Sequence, residues 1–185
     1  MKRIILLLMG VVLAIGAQAQ VCDNGFSIVA SGYQSLKTTD FQYHNKTWEA
    51  ALGASYTFSI TPRFYLLPEA AVFIKNYRDA DKLGGGLMLG GDAGYRIGLF
   101  RNEISFDVFT GPRLNCEFIR AREIGDGAPI TFPYSNMFQL YWRAGFAFNT
   151  QRVRLSAAVS MPATTYANGE RMWGIDFAVA YKLPI

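Results

Sequence analysis

His44 is the only histidine in the chain, and it sits in a polar stretch beside Asn45. An imidazole oriented by a carboxylate works as a general base near neutral pH, and it can activate a serine hydroxyl. The acids that could serve it are Asp79 and Asp81, and the serine is Ser135, each in a different polar stretch from His44. Such a site needs separate segments to converge. A lone histidine in a loop is ordinarily solvated, so no catalytic residues are expected. His44, Cys22 and Cys116 form no ligand cluster, so no metal and no other cofactor is expected. Gly84-Gly85-Gly86 opens a strand-like run rather than a helix, which removes the context of a phosphate-binding loop. The sequon Asn45-Lys46-Thr47 is read as chance.

A second set of reactive side chains is larger and more regular. Glu49, Glu69, Asp92, Glu103, Asp107, Glu117 and Asp176 are matched by Arg63, Lys75, Arg96, Arg113, Arg143, Arg154 and Lys182. All occur on the polar side of stretches that alternate polar and apolar residues. A charge removed from water is tolerated when it is paired and hydrogen-bonded. If the polar side is enclosed, the balance of acids and bases predicts an ion-pair network that fills the interior. A selective pore or proton path is the functional alternative.

The elements that would position these charges are strands. Trp48, Ala50, Leu52, Ala54, Tyr56, Phe58 and Ile60 alternate with Glu49, Ala51, Gly53, Ser55, Thr57 and Ser59. Side chains of a strand point alternately to opposite faces, so this stretch is two-faced. The pattern predicts eight strands, over about 24–35, 48–60, 63–76, 85–99, 103–118, 135–149, 152–162 and 171–183. The bulky apolar face recurs in each, for example Phe64, Leu66, Val72 and Ile74, or Phe138, Leu140, Trp142, Phe146 and Phe148.

Volume decides which face is inside. The interior of an eight-stranded barrel is just wide enough for side chains to fill. It has no room for that many large apolar groups, whereas the opposite face is rich in Gly, Ala and Ser, as in Gly86, Gly90, Gly94 and Gly98. The apolar face is therefore expected outside and the charges inside. A soluble lipocalin-like barrel or β-sandwich is the runner-up.

The N-terminus agrees with export. Met1-Lys2-Arg3, the apolar run from Ile4 to Ile15 and the site Ala17-Gln18-Ala19 have the form of a secretory signal peptide. Residues 1–19 are expected to be removed, leaving one domain over 20–185. The apolar run is shorter than the about 20 residues a membrane-spanning helix needs. Although 51% of residues are hydrophobic, no long apolar run follows it. Only helices and closed barrels can cross a bilayer, because every backbone polar group must be paired internally. The expectation is an all-β, eight-stranded, antiparallel up-and-down transmembrane β-barrel.

Loop lengths orient it. Thr61-Pro62, Phe100-Arg101-Asn102 and Thr150-Gln151 make short connections, whereas 36–47, 77–84, 119–134 and 163–170 are longer and more polar. Short periplasmic turns and long outer loops are the layout of bacterial outer-membrane barrels. Both termini are then periplasmic. Cys22 and Cys116 fall on opposite sides, so no disulfide is expected, and Ala19-Gln20-Val21 ahead of Cys22 is a poor lipidation signal. Export and the lack of a basic run exclude nucleic acid as a partner. In the third long loop Arg120 and Arg122 are candidates for binding lipopolysaccharide phosphates.

The whole exported part resembles the small bacterial outer-membrane β-barrel families of OmpX, OmpA-barrel and PorT-like type. The resemblance rests on the signal end, the eight alternating segments and the closing strand Gly174-Ile175-Asp176-Phe177-Ala178-Val179-Ala180-Tyr181-Lys182-Leu183. In that strand Gly174, Phe177, Val179 and Tyr181 look like the signal read by the barrel assembly machinery, although the chain ends in Leu183-Pro184-Ile185 rather than an aromatic. A mature start at Gln20 points to Bacteroidetes-type members. The resemblance implies a bacterial outer-membrane protein in contact with membrane lipid and lipopolysaccharide, with no shared catalytic residues. It implies a non-enzymatic barrel with loops for binding or adhesion. The alternatives are a lipid A-modifying enzyme, as some such barrels are, and a narrow channel or accessory part of a secretion or assembly system with a periplasmic protein partner.

Overall fold

The computed structural model describes residues 24–36, 48–76, 80–100, 104–119, 122–123, 138–164 and 173–184. Eight long strands form one closed antiparallel barrel: β1 Gly25–Ser35, β2 Trp48–Ser59, β3 Phe64–Asn76, β5 Gly84–Phe100, β6 Ile104–Ile119, β8 Phe138–Asn149, β9 Val153–Pro162 and β10 Gly174–Lys182. Each pairs with the next barrel strand along the chain. β1 closes the ring on β10, in a register running from Ser27 opposite Lys182 to Ser35 opposite Gly174. Closure pairs every edge, which removes the exposed strand edges an open sheet would leave.

The alternation of the sequence is the alternation of the walls. Along β3, Tyr65, Leu67, Glu69, Ala71, Phe73 and Lys75 are buried, and the residues between them are exposed. The outer wall is apolar: Leu52, Val72, Phe146 and Phe177 each leave more than half of their surface open. Rings meet there across neighbouring strands, with Phe26 on Tyr56 at 4.7 Å, Phe64 on Tyr95 at 4.8 Å and Phe106 stacked on Phe146 at 5.8 Å.

The two described tight turns are held by threonines. In the β2–β3 turn the Thr61 hydroxyl accepts from Phe64 N at 2.9 Å, and Thr61 N donates to Phe64 O at 3.1 Å. In the β8–β9 turn the Thr150 hydroxyl accepts from Val153 N at 3.0 Å, and Thr150 N donates to Val153 O at 2.8 Å. The third tight connection, 101–103, and most of the long connections lie outside the described residues.

Two expectations need correction here. Stretches 77–84 and 119–134 were expected as loops, yet β4 Ala80–Lys82 and β7 Arg122–Glu123 pair as a small antiparallel sheet apart from the barrel. Strands this short carry too few residues to show a period. The second concerns the interior, which holds aromatic rings as well as small residues. Tyr33, Tyr65, Phe73, Phe109 and Tyr141 are buried, and for Tyr65 and Tyr33 a glycine of the neighbouring strand leaves the space. Gly94 lies directly opposite Tyr65, and a Cβ there would sit 2.0 Å from the ring. Gly174 of β10, diagonal to Tyr33 in the ladder, leaves room for that ring as well, a Cβ there lying 1.9 Å from it. A ring laid over a glycine of the next strand fills the volume a side chain would have taken. We expect Gly94→Val to displace the Tyr65 ring and lower stability by about 1–3 kcal/mol, read as a lower midpoint in heat-modifiable gel mobility.

Candidate functional site

The inward faces of the strands bring most of the sequence-predicted charges into one lumen. Glu49, Glu69, Lys75, Asp92, Arg96, Asp107, Arg113, Glu117, Arg143 and Asp176 are buried there, and Arg154 and Lys182 are half-buried. They are organised as clusters at three depths. The loop end is the rim that carries the long connections, and the turn end is the rim that carries the tight ones.

Toward the loop end, Arg113 of β6 donates to Glu49 of β2 and to Asp176 of β10. Its Nε donates to Asn115 Oδ1 at 3.2 Å. Asn115 in turn donates to both Glu49 oxygens, at 3.1 and 3.0 Å, and Ser160 donates to Asp176. The space enclosed by Tyr33, Glu49, Arg113, Asn115, Tyr141 and Ser160 has no volume for a water. In the middle, Arg143 of β8 bridges Glu69 of β3 at 3.0 Å and Asp92 of β5 at 2.8 Å, and its Nε adds a bond to Asp92 at 3.1 Å. Each triad sets one guanidinium between two carboxylates from different strands. The planar fork of arginine suits this role, because it presents several donors in fixed directions.

Toward the turn end the pattern changes. Asp107 accepts from Ser105 at 2.7 Å, from Asn149 at 2.7 Å and from Arg154 at 3.4 Å. Arg154 also donates to the Tyr65 hydroxyl at 2.8 Å and lies over the rings of Tyr65 and Phe109, at 5.3 and 5.2 Å. Arg96 stands over the Tyr65 ring at 4.9 Å and donates to the Pro62 carbonyl at 2.8 Å and the Ser59 hydroxyl at 3.3 Å. A cavity of about 50 Å³ opens here, bordered by Tyr65, Arg96, Asp107, Arg154, Lys182 and the turn residue Gln151. A smaller one of about 20 Å³ lies deeper and shares Ser55, Leu67, Arg154 and Ala180 with it.

One predicted lumen residue belongs elsewhere. Arg63 is exposed, and its Nη1 donates to the Tyr95 hydroxyl on the outer wall at 3.2 Å. Its position in the alternation had suggested the inner face. β3 starts only at Phe64, so Arg63 belongs to the turn, where the alternation of a strand does not set the direction of a side chain. Arg152 makes a matching contact to the Tyr181 hydroxyl, at 3.5 Å. Glu103 lies outside the described residues.

Of the closing-strand residues, Phe177, Val179 and Tyr181 are exposed on the outer wall, whereas Gly174 is buried against the Tyr33 ring. Gly174 thus has a packing reason of its own. Cys116 is buried and free. Cys22, His44, Asp79, Arg120, Ser135 and residues 1–19 lie outside the described residues, and of Asp81 and Arg122 only the strand position is described. No group of three or more His, Cys, Asp or Glu side chains among the described residues could hold a metal ion.

Sequence reasoning missed Asn115, Asn149, Ser105 and Ser160, the neutral members of the network, because their inward parity carries no charge to draw notice. It also missed Gln151, which is buried although it belongs to a tight turn.

The same fold occurs in solved proteins. No family model matches the chain, and no curated protein sequence matches it. The attachment invasion locus protein Ail of Yersinia pestis aligns with a TM-score of 0.54 at 12% identity, over 86% of this chain and 96% of Ail. The N-terminal β-barrel domain of Pseudomonas aeruginosa OprF aligns with a TM-score of 0.48 at 16% identity, over 90% and 100% of the two chains. Ail in complex with the heparin analogue sucrose octasulfate gives a TM-score of 0.49 at 13% identity, over 86% and 96%. The likeness to Ail is one of fold: this chain has the architecture of the small eight-stranded barrels to which Ail belongs.

Proposed function

We propose that the chain is a non-enzymatic integral protein of a bacterial outer membrane, with a closed lumen and with outward loops that bind. The observation that carries this reading is the placement of opposite chemistries on the two walls. The outer wall exposes large apolar side chains from all eight barrel strands, while the inner wall buries ion triads. A contiguous apolar surface of that extent belongs against lipid. The triads fill the section that a solute would cross, and this supports a structural lumen over a channel.

The tight turns face the periplasm in this reading, and the loop end faces outward. Binding residues tend to be found on loops held by a rigid scaffold. The small β4–β7 sheet ties two of those loops together at that end. Ail is by name an attachment protein, and adhesion is the role we assign to the loop end. Arg120 and Arg122 are proposed to meet lipopolysaccharide or a similar anionic surface. The barrel assembly machinery would read the closing strand during biogenesis.

Expression in a Gram-negative host tests the parts separately. The protein is expected in the outer-membrane fraction, resistant to sodium carbonate extraction, with heat-modifiable gel mobility. It should give no steady conductance in planar bilayers and leave the mass spectrum of lipid A unchanged. A soluble, heat-insensitive product would sink the membrane reading, reproducible single-channel steps the closed lumen, and an altered lipid A the non-enzymatic assignment.

A further inference from the structure

The two described tight turns are built alike. Thr61-Pro62-Arg63-Phe64 leads into β3, and Thr150-Gln151-Arg152-Val153 leads into β9. In each, the threonine hydroxyl accepts from the backbone N of the fourth residue, at 2.9 and 3.0 Å. In each, the third residue is an exposed arginine. Both arginines donate from Nη1 to a tyrosine hydroxyl on the outer wall of the adjoining strand. Arg63 reaches Tyr95 of β5 at 3.2 Å, and Arg152 reaches Tyr181 of β10 at 3.5 Å. Among the described residues of the barrel strands and their turns, the other charged side chains face the lumen. β3 and β9 stand four strands apart in the ring of eight, and so do β5 and β10. The two arginine–tyrosine pairs therefore occupy opposite sides of the turn-end rim.

The geometry points to Arg63 with Tyr95, and Arg152 with Tyr181, as two binding sites for the phosphate of a glycerophospholipid in the leaflet that meets the turn end. The inference rests on the membrane reading above. At both places charge borders the apolar wall. Phe64 packs on the Tyr95 ring at 4.8 Å, and Phe64 and Val179 are each more than half exposed. Acyl chains would lie along such residues. A tyrosine ring favours the boundary between hydrocarbon and water, and an arginine carries its charge to that boundary along its own methylenes. The phosphates of a bilayer lie at the same level. A guanidinium presents its donors in a planar fork that suits a phosphate. With one N–H turned to the tyrosine oxygen, others can hold two phosphate oxygens side by side. The tyrosine, accepting from the arginine, keeps its own hydrogen to donate to the same phosphate. Two such contacts across a diameter set the depth of the barrel and oppose its tilting, which a single contact would not. Each site is exposed and contributes little to stability, so the test reads binding.

The whole mature chain is refolded in a neutral, phosphate-free detergent. Side-chain Nε–H signals of Arg63 and Arg152 are followed by NMR while short-chain phosphatidylglycerol is mixed into the micelles. Inorganic phosphate and an uncharged galactolipid of matched chains are titrated separately, all at constant ionic strength. Both signals are expected to shift saturably with the phospholipid and with neither of the others. Tyr95→Phe should weaken binding at Arg63 about threefold and leave Arg152 unchanged, and Tyr181→Phe should do the reverse, the size expected for one hydrogen bond. The two variants are independent, so one that fails to fold leaves the other to decide. Linear shifts with the phospholipid, or equal saturation by the galactolipid, would overturn the two sites. Saturation by inorganic phosphate as tight as by the phospholipid would make the ligand a free anion and overturn the lipid assignment. Unchanged affinity at both arginines in the tyrosine variants would overturn the paired construction. A soluble, heat-insensitive chain defeats the membrane reading itself, whereas a heat-modifiable barrel without saturable shifts defeats this inference alone.

Discussion

An Arg113→Leu variant is expected to lose about 3–5 kcal/mol of stability, the magnitude found when one partner of a buried ion pair is removed. Glu49 and Asp176 are each reached by this one guanidinium, and the side chains of all three are at least nine-tenths buried. Deleting it leaves two carboxylates in an enclosed space without their arginine, Glu49 still accepting from Asn115 and Asp176 from Ser160. Replacing the three together with apolar residues of similar volume should recover much of the loss, since the desolvation of the ions then disappears. Urea unfolding of the barrel in lipid vesicles, followed by tryptophan fluorescence and gel mobility, reads both variants. A loss below about 1 kcal/mol in Arg113→Leu, the range of exposed pairs, would mean that water reaches the triad and that the lumen is open there.

The second large effect lies on the other wall. Leu52→Arg places a charge on the outer face of β2, where Leu52 is exposed opposite Val72 of β3. If that face meets hydrocarbon, the cost is about 2–4 kcal/mol near the bilayer midplane. On a soluble barrel the same substitution would fall within about 0.5 kcal/mol of neutral. Comparing Leu52→Arg with Arg152→Ala in vesicles sets the wall against the turn: the first should shift the unfolding midpoint strongly and the second hardly at all. Equal small shifts would refute lipid contact at β2.

The walls were legible in the sequence because a strand has a period of two, and one bulky face cannot fit inside an eight-stranded ring. Every long strand follows from that argument to within a few residues. Arg63 shows its limit. Parity assigns a face only within a strand, and Arg63 lies in the turn just ahead of β3. The β4–β7 sheet was not legible, since its strands have no run of residues to alternate. The inner rings were hidden for a different reason. Tyr65 fits because Gly94 lies opposite it, and Tyr33 because its ring reaches diagonally over Gly174 of β10, and which glycine meets which ring depends on the register. The same holds for the triads. The sequence supplies the acids and bases, but Arg113 finds Glu49 and Asp176 only once the ring has closed.

That closure gives the Arg113 triad a further consequence. β1 pairs with β10 on one side and β2 on the other, and β6 stands directly across the ring from it. β1 offers the lumen Ser27, Val29, Ser31, Tyr33 and Ser35 and no charged side chain. Arg113 reaches from β6 to Glu49 on β2 and Asp176 on β10, the two strands that flank β1. The first strand of the barrel is thus clamped by its neighbours, which are drawn together from the far wall. The seam where the two ends of the barrel meet is locked by a residue near the middle of the barrel sequence. Damage at Arg113 should therefore be felt first as fraying of β1, at a distance from the substituted strand.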